Sequence, residues 1–217
     1  MTSRTAGRLA WGIAFVCFGM VAASLALLYL NRTAIVGDIS GTADISDLIA
    51  GMTIGVLGAL IASRRPENPI GWLLLAGAAV SGISVLTLHV AMRALLSGVS
   101  PHGWPRWPAL IHNAIGGLGL GAVIFFFLLF PNGRPLTRRW RWVVRSGVVA
   151  LVAVTAGNLL DPTTVQLSTR LPRLGNPIGL RAFTGFSNSF PSFIGFLLIL
   201  ILAVVSLVLR FRRARGE

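Results

Sequence analysis

Three histidines, His89, His102 and His112, are the side chains here best suited to chemistry near neutral pH, where imidazole can bind a metal or exchange a proton. His89 lies near the end of one apolar run, His112 in the first turn of the next, and His102 in the loop between them. In an antiparallel hairpin of those runs His89 and His112 would share a depth, which suits a pH switch, a metal site or a bis-histidine haem. No carboxylate or cysteine is spaced to complete a ligand set around them. The expectation is no catalytic group, no cofactor and no dedicated metal centre, with the three histidines as ordinary interfacial side chains. Cys17, the only cysteine, sits inside an apolar run and reads as a small packing residue that cannot form an intrachain disulfide. All 19 basic residues are arginine. Without lysine, retinal or pyridoxal Schiff bases and the P-loop mode of nucleotide binding are excluded for these residues. No nucleophile–base pair points to an enzyme, and no apolar run carries Asp, Glu or Arg at its centre, as a charge-relay pump would.

The elements that must position these groups are long and apolar. Six runs, 9–30, 45–62, 70–90, 109–130, 143–160 and 190–209, occupy most of the chain. Each is roughly 20 residues long, the length a helix needs to cross a hydrocarbon core of about 30 Å. Lipid offers no partner to a bare amide, so such segments must be helices or strands of a closed barrel. Barrel strands are about 10 residues long and alternate apolar with polar, a pattern absent here. The predicted fold is all-α, a polytopic transmembrane helical bundle of six spans, with residues 1–217 forming one integral membrane domain and no soluble domain. A hydrophobic content of 54% agrees, as does a charged fraction of 12%, about half that of soluble domains. The first run exceeds the apolar core of a signal peptide and no small-residue cleavage site follows it, so it reads as an anchor.

Arginine placement predicts orientation through the positive-inside rule. With six spans, both termini and the second and fourth loops share a side. That side holds Arg4, Arg8, Arg64, Arg65, Arg134, Arg138, Arg139, Arg141, Arg145, Arg210, Arg212, Arg213 and Arg215, or 13 of the 19. The other side has Arg32, Arg93, Arg106, Arg170, Arg173 and Arg181, with four of the six acids, Asp38, Asp44, Asp47 and Asp161. Both termini are therefore expected in the cytoplasm. The net charge of +13 reads as topology and attraction to anionic lipid head groups rather than as a nucleic-acid surface, since no basic stretch is long enough to fold as a reader domain. The outer acids and arginines could bind a ligand by charge, without indicating which.

Two loops carry most of the recognisable pattern. SRRPENPIGWLLL, residues 63–75, sets Arg64 and Arg65 among lipid phosphates, makes Asn68 an N-cap, puts Pro69 at the first helical position and lays Trp72 at head-group depth. LLFPNGRPLTRRWRWVVR, residues 128–145, ends a helix at Pro131, turns at Asn132-Gly133 and then interleaves arginines with Trp140 and Trp142. That is the pattern of an interfacial anchor or of a dock for a cytoplasmic partner. The residues expected to fix helix ends and meet such a partner are Arg64, Arg65, Asn68, Pro69 and Trp72, with Arg134, Arg138, Arg139 and Trp140. NPIG occurs twice, at 68–71 and 176–179. By the assigned topology the copies lie on opposite sides, as in the inverted repeats of secondary transporters. The second copy is expected to open a short interfacial helix from Pro177 to about Phe186. Gly51, Gly55 and Gly58, and Gly117 and Gly121, form small-residue surfaces that imply a compact bundle or a homodimer.

IASRRPENPIGWLLLAG (61–77), LLFPNGRPLTRRWRW (128–142), RLGNPIGL ahead of the last run, and the ending LRFRRARGE together resemble the amino-terminal membrane region of actinobacterial sensor histidine kinases. The likeness spans nearly the whole chain, and its arginine-rich Pro-Gly turns are its more specific part. The all-arginine usage fits the high-GC genome of an actinobacterium. The resemblance implies a sensor or signal-transducing role in a bacterial plasma membrane, working with cytoplasmic kinase or response-regulator machinery. It departs from the family at the end: no phospho-accepting histidine with its dimerisation helix and no glycine-rich ATP lid is present. Histidine kinase activity is then expected only if the native protein continues beyond Glu217. Two other readings fit the pattern, a small secondary transporter and a non-catalytic membrane scaffold.

Overall fold

Proline and glycine set the helix boundaries. Pro69 occupies the first turn of a helix capped by Asn68, whose side chain accepts the Ile70 amide. That helix ends where the amides of Ser97 and Gly98 bond back to Arg93 and Leu95, with Gly98 at φ +84°, a left-handed cap that favours glycine. The next helix begins after Pro105, and Pro131 follows the extended C-cap Phe130 at its end. The resulting elements are α1 (Ser3–Leu30), α2 (Ser40–Arg64), α3 (Pro69–Leu96), α4 (Arg106–Leu129), α5 (Trp140–Leu160) and α6 (Phe190–Ala214), each matching one predicted run. This computed structural model describes the backbone of residues 3–32, 40–163, 165, 167–186 and 190–214. Asp38 and Arg215 lie outside the described residues, as do the side chains of Asp44 and Arg213. Among the described residues the β structure is a single bridge between Val165 and Leu174.

Helices α1 to α5 each contain a stretch long and apolar enough to cross a bilayer, while in α6 the described apolar stretch is the shorter Leu200–Arg210. Large apolar side chains cover the outside, among them Phe15, Val149, Val152 and Leu198, as expected where lipid is the solvent. The chain is a multi-pass helical bundle.

Packing divides it into two groups of three. Helices α1, α2 and α3 all touch one another, α4 contacts both α5 and α6, and α3 against α4 joins the groups. Small residues make the close approaches. A Cβ on Gly58 would meet the Leu75 amide nitrogen at 2.8 Å, and one on Gly121 would meet Leu151 at 2.9 Å. Along the α3–α4 seam Gly77 faces Ala122, Ser81 faces Gly119 and Ser84 faces Gly116. Ala203 and Ser206 are fully buried and bring α6 close to its neighbours, with Ala203 against Ile124, Phe125 and Leu128. Gly55, Gly58 and Gly121 therefore pack helices against one another within the chain. Gly51, by contrast, has nothing within 4 Å of the position its Cβ would take.

The helices alternate in direction. One end of the bundle collects the start of α1 (Gly7 beside Ser63), the α2–α3 turn and the α4–α5 loop (Gly133 against Pro69), and the carboxyl end of α6. At the other end Asn31 Nδ2 donates to the His89 carbonyl at 2.9 Å. There the described residues between 161 and 186 fold over the helix ends, burying Leu167 and Leu174 against Leu88, Ala91, Met92 and Ala109. The expected helix from Pro177 to Phe186 does not form. Asn176 Oδ1 takes the Ile178 amide, the Leu180 amide bonds to Leu160 at the end of α5, and only the 3₁₀ turn Arg181–Phe183 remains. The Phe183 and Thr184 amides bond three residues back instead of four, and the Gly185 amide goes to Asp161 Oδ1, so the turn does not propagate as an α-helix.

Candidate functional site

The arginine-rich end holds the residues that the sequence singled out, and the structure joins three of their segments. In the α2–α3 turn the Asn68 amide bonds to the Arg65 carbonyl at 3.0 Å. Asn68 Oδ1 accepts the Ile70 amide at 3.0 Å while its Nδ2 donates to the Pro131 carbonyl at 3.3 Å, bridging to the end of α4. Pro69 packs beneath Gly133, whose φ of +70° and lack of a side chain let the α4–α5 loop sit directly on the ring. From α6, Arg210 Nη2 donates to the Leu128 carbonyl at 3.1 Å and the Arg134 carbonyl at 2.7 Å. A guanidinium suits this task because it carries five donors in a fixed fork. The last helix is thus fastened to the same loop that Asn68 and Pro69 hold.

Around this junction Arg64, Arg65, Arg134, Arg138 and Arg139 are all exposed and free to meet phosphate or carboxylate groups. The two tryptophans of the α4–α5 loop part company. Trp140 packs with Val143 and Val144 on the cluster of Ile124, Phe125 and Leu128, whereas Trp142 is 70% exposed with Arg145 5.3 Å from its ring centroid. Trp72 lies in the first turn of α3 and faces inward. Its indole N–H donates to the Pro66 carbonyl at 3.0 Å and its ring packs on Ala10, Ala14, Ala59 and Leu75, so it braces the turn from within. Arg210 was legible only as one of a terminal basic run; its partners are carbonyls, which no residue pattern reveals.

At the opposite end the three histidines differ in burial. His89 is fully buried in α3, His102 is exposed in the α3–α4 loop, and His112 is half-buried on α4. The His112 Nδ1 lies 3.0 Å from Ser84 Oγ and 3.1 Å from the Ser84 carbonyl oxygen. Among the described residues no three His, Cys, Asp or Glu side chains gather as a metal-ligand group. Asp161, expected among the outer charges that could meet a ligand, is 2% exposed; its Oδ1 accepts the amides of Thr163 at 2.9 Å and Gly185 at 3.2 Å. Burial with those bonds makes it an organiser of the capping segment.

A groove missed by the sequence runs beside His112. Helices α2 and α4 both pack on α3 while scarcely touching each other, which leaves a cleft of about 510 Å³ between them. Its floor is Ser81, Ser84 and Val85, one wall is Asp47, Ala50, Gly51 and Ile54, and the other includes His112, Gly116, Leu120 and Val123. No protein-family model, curated protein or solved structure matches this chain.

Proposed function

We propose that this chain is the membrane-embedded sensor and signal-transducing region of a two-component-type system. In this reading six spans cross a bacterial plasma membrane with both termini cytoplasmic, and a stimulus from outside or from the bilayer reaches a cytoplasmic kinase output through α6. The observation that carries it is the junction at the arginine-rich end. Arg210 of α6 bonds to Leu128 and Arg134, in the loop that Asn68 and Pro69 hold. Any change in how α2, α3 and α4 pack is therefore delivered to the helix that leaves the bundle there. A switch of this type needs two packings separated by a few kcal/mol, which close glycine contacts permit. The exposed arginines give the junction its second contact, with anionic head groups or an acidic partner surface. A homodimer would complete such a receptor through exposed faces of α5 and α6, where Val149, Val152, Leu198 and Ile201 point outward.

The test uses native membranes. The protein is isolated with its associated material, its intact mass is measured, and phosphoryl transfer from ATP is followed for the wild type and for an Asn68→Ala, Pro69→Ala double variant. Phosphoryl transfer that the double variant alters while still inserting normally would support the reading. Absence of any such transfer would overturn it in favour of a scaffold. One observation favours a second reading, a small secondary transporter: the two NPIG copies make matching bonds at opposite ends of the bundle, as inverted repeats do. Substrate flux in liposomes would separate the two.

A further inference from the structure

We infer that the groove between α2 and α4 is a binding site for an amphiphile with a protonated primary-amine head and a short apolar tail. Its outer placement rests on the orientation proposed above; the binding chemistry does not. Among the described residues Asp47 is the only formally charged one lining it, in a chain whose net charge is +13. A lone carboxylate on the cleft attracts a cation. The neighbouring imidazole adds an acceptor. His112 Nδ1 lies 3.1 Å from the Ser84 carbonyl oxygen and 3.0 Å from Ser84 Oγ; we assign the hydrogen to Nδ1, where it can donate to both, which in the neutral ring leaves Nε2 as a lone-pair acceptor. Carboxylate and Nε2 together call for N–H donors on the ligand, which a quaternary ammonium lacks. Ser81 and Ser84 add hydroxyls on the floor. Further along the cleft, Ile54, Leu120 and Val123 offer only hydrocarbon, the partner for a tail. At about 510 Å³ the cleft falls within the ordinary range of small-molecule pockets, about 300–1,000 Å³.

Two variants interrogate the site without disturbing packing. Asp47 is exposed, so Asp47→Asn removes charge at constant shape. Gly51 lines the groove and has nothing within 4 Å of its Cβ position, so Gly51→Leu starts a bulky side chain into the cleft from an open position. The full chain in zwitterionic nanodiscs is titrated with tritiated n-octylammonium, using octyltrimethylammonium and octyl sulfate as competitors and circular dichroism to confirm helicity. The expected result is saturable binding, weakened about tenfold or more in Asp47→Asn and abolished in Gly51→Leu, with octyltrimethylammonium a poor competitor and octyl sulfate none. Non-saturable partitioning, or binding unchanged in both variants, overturns the proposal. Equal competition by the quaternary compound overturns the assignment of a donor head. Should saturable binding persist where native membranes show no phosphoryl transfer, the site stands and the sensor reading falls. Phosphoryl transfer that both variants leave intact, with no saturable binding, means the reverse.

Discussion

At Asn68 and at Asn176 the chain uses the same four residues in nearly the same way. In each copy the asparagine Oδ1 accepts the amide two residues on, at 3.0 Å, and Nδ2 donates to carbonyls near a helix carboxyl end. Those carbonyls lack intrahelical partners and need a donor from elsewhere. In each copy the glycine admits another stretch of backbone: Ala62 at Gly71, Pro162 at Gly179. The partners differ. Asn68 makes a single long bond of 3.3 Å to Pro131, 63 residues away, whereas Asn176 makes two short ones, 2.8 Å to Leu159 and 2.7 Å to Asp161, only 17 and 15 residues back. One motif therefore serves as a light coupling between distant segments at the arginine-rich end, and as a firm local seal at the other.

Substitutions at matched positions can break that contrast. The largest effect is expected at the glycines. Gly71→Val drives a side chain into the α2 backbone, where a Cβ alone would lie 2.5 Å from the Ala62 nitrogen, and should cost about 3 kcal/mol. Gly179→Val should cost about 1–2 kcal/mol, because Pro162 lies in a loop with more room to yield. Thermal unfolding in detergent would order the two, and equal losses would show that the capping segment is as rigid as the helices. Next come the asparagines. Asn176→Ala removes three bonds and should cost about 2 kcal/mol, against about 1 kcal/mol for Asn68→Ala, so a reversed order would contradict the assignment of seal and coupling. The smallest change sharpens the point. Asn68→Asp keeps the N-cap acceptor and deletes only the donor to Pro131, so stability should fall by about 0.5 kcal/mol. If the unfolding temperature drops as far as in Asn68→Ala, the bridge carries the whole contribution of Asn68 and the coupling is not a light one.

Hydropathy made the helices legible because lipid leaves the backbone no alternative, and each apolar run became one helix. The Asn68-Pro69 start was equally plain, since both residues act on their own helix end. What depended on a distant partner was hidden. Nothing around Pro131 or Arg134 says that their carbonyls receive Asn68 and Arg210. Small residues were ambiguous for the same reason: Gly58 is pressed against α3 and Gly51 faces a void, and only the placement of neighbouring helices separates these cases. Asp161 misled by its chemistry. A carboxylate in an outer loop suggests a ligand contact, yet the loop closes over it and supplies amides instead.

The seam between α3 and α4 has a mechanical consequence. Where Gly77, Ser81 and Ser84 meet Ala122, Gly119 and Gly116, there are no bulky knobs to climb out of holes. Such a contact resists separation through its closeness but offers little friction along its length, the condition for shear between packed helices over about 1–2 Å. Both ends of the seam carry stops against such sliding: Asn68 and Pro69 hold the α4–α5 loop at one end, and Leu167 and Leu174 lie across α3 and α4 at the other.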